Sequence, residues 1–189
     1  MQHRLTNLKK HCLIDHIPLM RDKTINYMIN FLNSHHYQSY LEIGTAYGYS
    51  ALSILVHCSH IQKIVTLEKN PERFAIAQGY LQNTLIQSFN TDCFNYTPDQ
   101  KYDVLVIDGP KGSQIKLFDQ YIQYLNSNGV MFIDNLYLKA IRDLPIKTKN
   151  QNKLLNKLDE FINYLKKQTK YVFEIIDIDD GLGIIQFKN

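Results

Sequence analysis

Two acidic positions, Asp108 and the pair Asp134 and Asn135, each follow a short apolar run, 104–107 and 130–133. If those runs are neighbouring parallel strands, two carboxylates and a carboxamide converge at their ends, with no nitrogen or sulfur ligand among them. Such a set suits a hard divalent cation, Mg2+ or alternatively Mn2+ or Ca2+, and not zinc. Three protein ligands leave about three octahedral positions open, enough for one water and two adjacent oxygens of a chelated molecule. Lys111 lies three residues beyond Asp108 and is the candidate general base, because a nearby cation disfavours the charged form of an amine.

A second group of residues suits a nucleoside. Gly44 and Gly48 stand in the stretch from Glu42 to Ser50, where a strand gives way to a helix, so bare backbone can approach a ligand there. Ala46 occupies the place of the second glycine in a dinucleotide fingerprint. Glu68 closes the next strand 24 residues after Gly44, and a carboxylate there can accept both hydroxyls of a ribose. Asp92 and Cys93 fall where the base would lie.

These residues need a framework that gathers strand ends. The runs 40–43, 64–67, 104–107 and 130–133 are β-rich and apolar without strict alternation, as expected of parallel strands covered on both faces. Helical stretches are expected at 50–58, 71–85 and 113–125, with an added N-terminal helix at 22–35 and another helix at 152–167. The segments 171–176 and 182–187, joined by turn residues 177–181, read as an antiparallel hairpin. The whole is an α/β chain in the outline of the class I methyltransferase Rossmann-like fold, a seven-stranded, mostly parallel sheet in a single domain over residues 1–189.

The segments Glu42 to Ser50, Val65 to Glu68, Tyr102 to Asp108 with Lys111, and Gly129 to Asn135 make the resemblance specific. Over roughly residues 16–187 the chain resembles the cation-dependent O-methyltransferases of the catechol and caffeoyl-CoA type. That resemblance implies an enzyme that uses S-adenosylmethionine (SAM), with Met20 lining the pocket and Glu42 and Gly44 facing the methionine part. It implies Ser50 on the methionine carboxylate, Glu68 on the ribose, the Cys93 backbone on the adenine, and Asp108 beside both donor and metal. The sequence departs from the family at Thr91–Cys93 and at Gly109–Pro110. Relatives of similar size include bacterial enzymes that methylate 5-hydroxyuridine of a tRNA anticodon loop, and relatives often form homodimers.

Charge bears on the acceptor. The net charge is +3, but nine Lys/Arg against three acids fall between Lys139 and Lys170, and five against two within residues 1–23, leaving the remainder net acidic. A basic flank with Arg142, Lys147 and Lys149, beside an aromatic such as Tyr47 or Tyr137, suits a splayed base in a tRNA loop. A small phenolic acceptor is the alternative; the flank is then a solvated face. Three widely spaced cysteines argue against disulfides and for a reducing cytoplasm, and no segment reads as a signal peptide or membrane span. His57 and His60, one turn apart, and His35–His36 read as surface residues rather than ligands.

Overall fold

The computed structural model describes residues 1–188. Strands β1 (Ser39–Ile43), β2 (Lys63–Glu68), β3 (Ile86–Asn90), β4 (Tyr102–Ile107), β5 (Leu125–Ile133), β6 (Tyr171–Ile176) and β7 (Leu182–Phe187) form one sheet in the order β3-β2-β1-β4-β5-β7-β6. Pairing is parallel from β3 to β5, whereas β7 runs antiparallel to both β5 and β6. The expected class I methyltransferase sheet is therefore present. Every residue of β1 is buried because helices cover both faces.

Helices α1 (Gln2–Ile14), α2 (Asp22–His35), α3 (Tyr49–His57) and α4 (Pro71–Leu81) supply the core of one face, around Leu8, Met28, Leu52 and Leu81 against Tyr40, Val104 and Phe132. The opposite face takes Leu117 and Phe118 of α5 (Gln114–Tyr121) and Leu158, Phe161 and Leu165 of α7 (Lys149–Lys166), packed on Leu41, Leu105 and Met131. Alternate residues of one strand thus serve two cores. A short helix, α6 (Lys139–Arg142), follows β5.

Several boundaries differ from the sequence expectation. The helix beginning at Pro71 stops at Leu81 rather than residue 85, because the chain turns there to enter β3. The one beginning near residue 113 ends at Tyr121, continues as a 3-10 turn, and Leu125 already belongs to β5. There are two N-terminal helices rather than one. The first is mostly polar and buries only Leu5, Leu8 and Cys12, a stripe at helical spacing. The long C-terminal helix starts three residues early because Thr148 and Gln151 form a capping box, each side chain bonding the other's backbone. Thr148→Ala is expected to lower the unfolding free energy by about 1 kcal/mol, read from the urea midpoint.

Candidate active site

The register places the acidic tips side by side. Ile43, Ile107 and Ile133 are successive partners across β1, β4 and β5. The ladder then continues one residue further, since Asp108 donates its N–H to the Ile43 carbonyl at 3.0 Å and Asp134 its N–H to that of Ile107 at 3.2 Å. Two carboxylates thus leave the same end of adjacent strands, where open parallel sheets collect ligands. Lys111, in the turn before α5, donates to Asp108 Oδ1 at 2.9 Å and to the Asp134 carbonyl at 3.2 Å. It is tied into the acidic pair rather than solvated.

Asp134 is only 3% exposed, and burial, reinforced by the Asp108 charge, pushes its carboxyl up to about 6 against the pull of Lys111. Its Oδ1 accepts the Asn135 N–H at 2.8 Å, and Asn135 is left-handed at φ 61°. A crowded pair of carboxylates with one ammonium beside it is a site short of positive charge. That shortage and the all-oxygen donor set fit a hard cation. Among the described residues no three His, Cys, Asp or Glu side chains are grouped to hold a metal, so Asn135 would be needed to complete a set.

Two hollows adjoin Asp108. One, of about 510 Å³, is bounded by Gly44, Glu68, Asp92, Cys93 and Pro110 among others; a smaller one is bounded by Met20, Ala46, Tyr49 and Ser50. Gly44 and Asp108 border both, so they form the saddle between them. Gly44 is required for a reason the sequence did not reveal: with φ at +105°, a Cβ there would lie 2.3 Å from the Asp108 carbonyl oxygen. Its missing side chain lets β1 and β4 close at the saddle, whatever ligand approaches from outside. Gly48 likewise presses on Leu81 of α4.

Glu42 lies wholly buried in β1, where Ser50 Oγ and the Tyr40 hydroxyl both donate to its Oε1 while Oε2 has no partner. Desolvation pushes its carboxyl up to about 8; Asp108 adds to the rise and the Ser50 bond opposes it. Glu68 is held by the Ala46 N–H on Oε2 at 2.8 Å and the Asn70 N–H on Oε1 at 2.7 Å. The Cys93 carbonyl is taken by the Tyr121 hydroxyl at 2.6 Å and by Gln120, so what Cys93 can offer a base is its N–H.

Other expectations need correction. Tyr47 is not an open stacking surface: it is 6% exposed, and its hydroxyl donates to Asp15 Oδ2 at 2.9 Å. Asp15 also meets His11, which reaches the Tyr80 hydroxyl, so α1 is fastened over the turn after β1. This network was absent from the sequence reading, because its members are 11, 15, 47 and 80 in the chain. Tyr137 is half-buried, its ring against Gly181. The basic flank is partly structural: Arg142 pairs with Asp159 at 2.7 Å, Lys139 and Lys147 bond carbonyls, and Lys157 bonds that of Gly112. His60 meets His36 at 2.9 Å rather than His57, on the opposite end of the sheet and exposed. No helix among the described residues is long and apolar enough to cross a membrane.

Known proteins share this fold. The family profile described as O-methyltransferase matches residues 3–188. A solved Staphylococcus aureus structure, a candidate caffeoyl-CoA O-methyltransferase, superposes with a TM-score of 0.90 at 23% identity, over 99% of this chain and 95% of that one. The methyltransferase PaMTH1 of Podospora anserina, solved with S-adenosylhomocysteine (SAH), superposes with a TM-score of 0.84 at 20% identity, over 98% and 88% of the two chains. A curated Thermoplasma volcanium protein, a probable cobalt-precorrin-6B C(15)-methyltransferase, is 24% identical over 134 residues, 69% of this chain and 67% of that one. At these identities the solved structures speak for the fold.

Proposed function

The chain belongs to the O-methyltransferase family, and from that premise we propose that it moves the methyl group of SAM onto a hydroxyl held at the Asp108–Asp134 pair with a divalent cation. The observation that carries this reading is the saddle. Asp108 borders both hollows and also meets Lys111, so donor and acceptor sides adjoin at one residue.

Each residue then has a task. Glu68 accepts the ribose hydroxyls, and the Cys93 N–H faces the adenine. Ser50 would meet the methionine carboxylate and the unpartnered Oε2 of buried Glu42, next to Ser50, the ammonium, with Met20 closing the smaller hollow. Asp108, Asp134 and Asn135 would hold the cation, which supplies chelation of two vicinal oxygens and a more acidic hydroxyl. A cation beside Lys111 favours its free amine, and in that form Nζ, within 3.2 Å of the pair, would take the hydroxyl proton. The freed oxygen forms its bond to the methyl carbon as the carbon–sulfur bond breaks, and neutral SAH leaves. Tyr47→Phe removes the hydroxyl that secures the turn to Asp15; it is expected to weaken SAH binding about fivefold by calorimetry, near 1 kcal/mol.

For the acceptor we favour 5-hydroxyuridine in tRNA, methylated to 5-methoxyuridine. Its 4-carbonyl and 5-hydroxyl are vicinal oxygens. Exposed Lys149, Lys153, Lys166, Lys167 and Lys170, whose side chains make no internal bond among the described residues, support an electrostatic grip on phosphates. A catechol-type phenol offers the same oxygen pair and is the second reading. Methylation of undermodified tRNA and of catechol, each with Mg2+ and with chelator, tests both. Activity on tRNA that falls steeply with salt supports the first; transfer to catechol alone overturns it, and full turnover in chelator overturns the cation.

A further inference from the structure

The turn joining β6 to β7, residues 177–181, bonds both to the first turn of α2, beyond Met20 of the smaller hollow, and to the loop that follows Asp134. On the donor side, Asp179 Oδ2 accepts from the Thr24 N–H at 2.9 Å and from the Thr24 hydroxyl at 3.0 Å. Thr24 is buried in the first turn of α2, four residues after Met20. On the acceptor side, Asp180 Oδ1 accepts from the Lys139 N–H at 2.7 Å, and the Asp180 and Gly181 carbonyls accept from the Tyr137 and Leu136 N–H groups at 2.8 and 3.0 Å. The Asp179 carbonyl takes the Lys139 ammonium at 2.8 Å.

Both helices borrow what they lack. Arg21 and Leu138 stand at the N-caps of α2 and α6, and neither side chain makes a capping bond; instead one first-turn N–H of each helix, that of Thr24 and that of Lys139, goes to two consecutive carboxylates of one distant turn. The acceptor-side loop needs such holding, since Asn135 and Leu138 are both left-handed, at φ 61° and 48°. Gly181 completes the fit: a Cβ there would lie 2.8 Å from the Tyr137 ring.

Resting on the function proposed above, we propose that this turn is a spacer that sets the donor-side segment 20–24 against the acceptor-side loop 135–139, with Asp179 and Asp180 as positioning residues for methyl transfer. Neither touches a reacting atom. In-line transfer requires the oxygen near 3 Å from the methyl carbon, and a displacement of about 1 Å costs on the order of 100-fold. One segment leads into β1 and the other follows β5, and residues 177–181 bond to each.

The test is a set of single variants. Asp180→Ala is expected to lower kcat about tenfold and raise the Mn2+ concentration for half-saturation about tenfold, while SAH affinity by calorimetry stays within twofold. Asp179→Ala is expected to weaken SAH binding about fivefold and leave Mn2+ affinity alone. Hydrogen exchange should quicken at 135–139 in the first and at 22–26 in the second. Asp180→Asn keeps the accepting oxygen and should restore most of kcat. Variants that only lose thermal stability, with SAH affinity, Mn2+ affinity and kcat per binding-competent site unchanged, overturn the spacer. If the wild-type protein methylates neither acceptor, the function proposed above fails instead, and the spacer is judged on SAH calorimetry and exchange alone.

Discussion

Replacing Asp134 by asparagine is expected to lower kcat about 1000-fold, corresponding to roughly 4 kcal/mol of lost transition-state stabilisation. The substitution keeps the shape and the bond from the Asn135 N–H but removes the charge that a cation needs. Stability without added metal should move the other way. The folded carboxyl sits near 6 and its ordinary value is 3.8, so the unfolded chain loses this proton first as pH rises. The wild-type protein is therefore penalised progressively between about pH 4 and pH 6, and the asparagine variant escapes that penalty at pH 7. Thermal denaturation with and without Mn2+ reads both effects: the cation should raise the wild-type melting temperature and leave the variant unmoved. A variant still protected by the cation to the same degree would place the ion elsewhere.

Glu42→Gln is expected to separate stability from donor binding even more sharply. Burial lifts this carboxyl from 4.5 to about 8, so the wild-type fold loses stability as pH climbs from about 4.5 to 8 and loses no more above that. The full penalty is on the order of 5 kcal/mol as an upper figure. Urea titrations at pH 5 and pH 8.5 should show the glutamine variant near wild type at the lower pH and clearly more stable at the higher. Its affinity for SAH should fall by roughly 10-fold or more, because a charge-assisted bond to the ligand's ammonium is lost. Equal pH dependence in the two proteins would show that Glu42 does not carry the proton.

The legible parts of the site are those governed by chain order and local pattern. Asp108 and Asp134 end apolar runs, and once those runs are adjacent parallel strands their tips must meet. Glu68 and the turn at Gly44 follow from the same rule. Tertiary partners left no such mark. Tyr47 and Tyr137 look alike in sequence as aromatics near the site, yet Asp15 pulls the first inward. Lys139 and Arg142 look like free cations, but Asp179, Tyr137 and Asp159 occupy them. The helix at 2–14 was hidden because its buried stripe holds only three residues in an otherwise polar segment, too weak a periodicity beside the stronger one that follows.

The strand order has a temporal side. The nucleoside hollow draws on residues no later than Ser113, and its strands β1 to β4 are contiguous in the sheet. The outer flank of β5 is closed only by β7, and the loop carrying Asn135 is braced by residues 177–181. The residues that line the nucleoside hollow thus precede, by some seventy positions, the turn that braces the reactive edge. Pairings that distant in the chain form last because loop-closure entropy must be overcome first. Bracing of the loop that carries Asn135 is then expected to be a late event in folding.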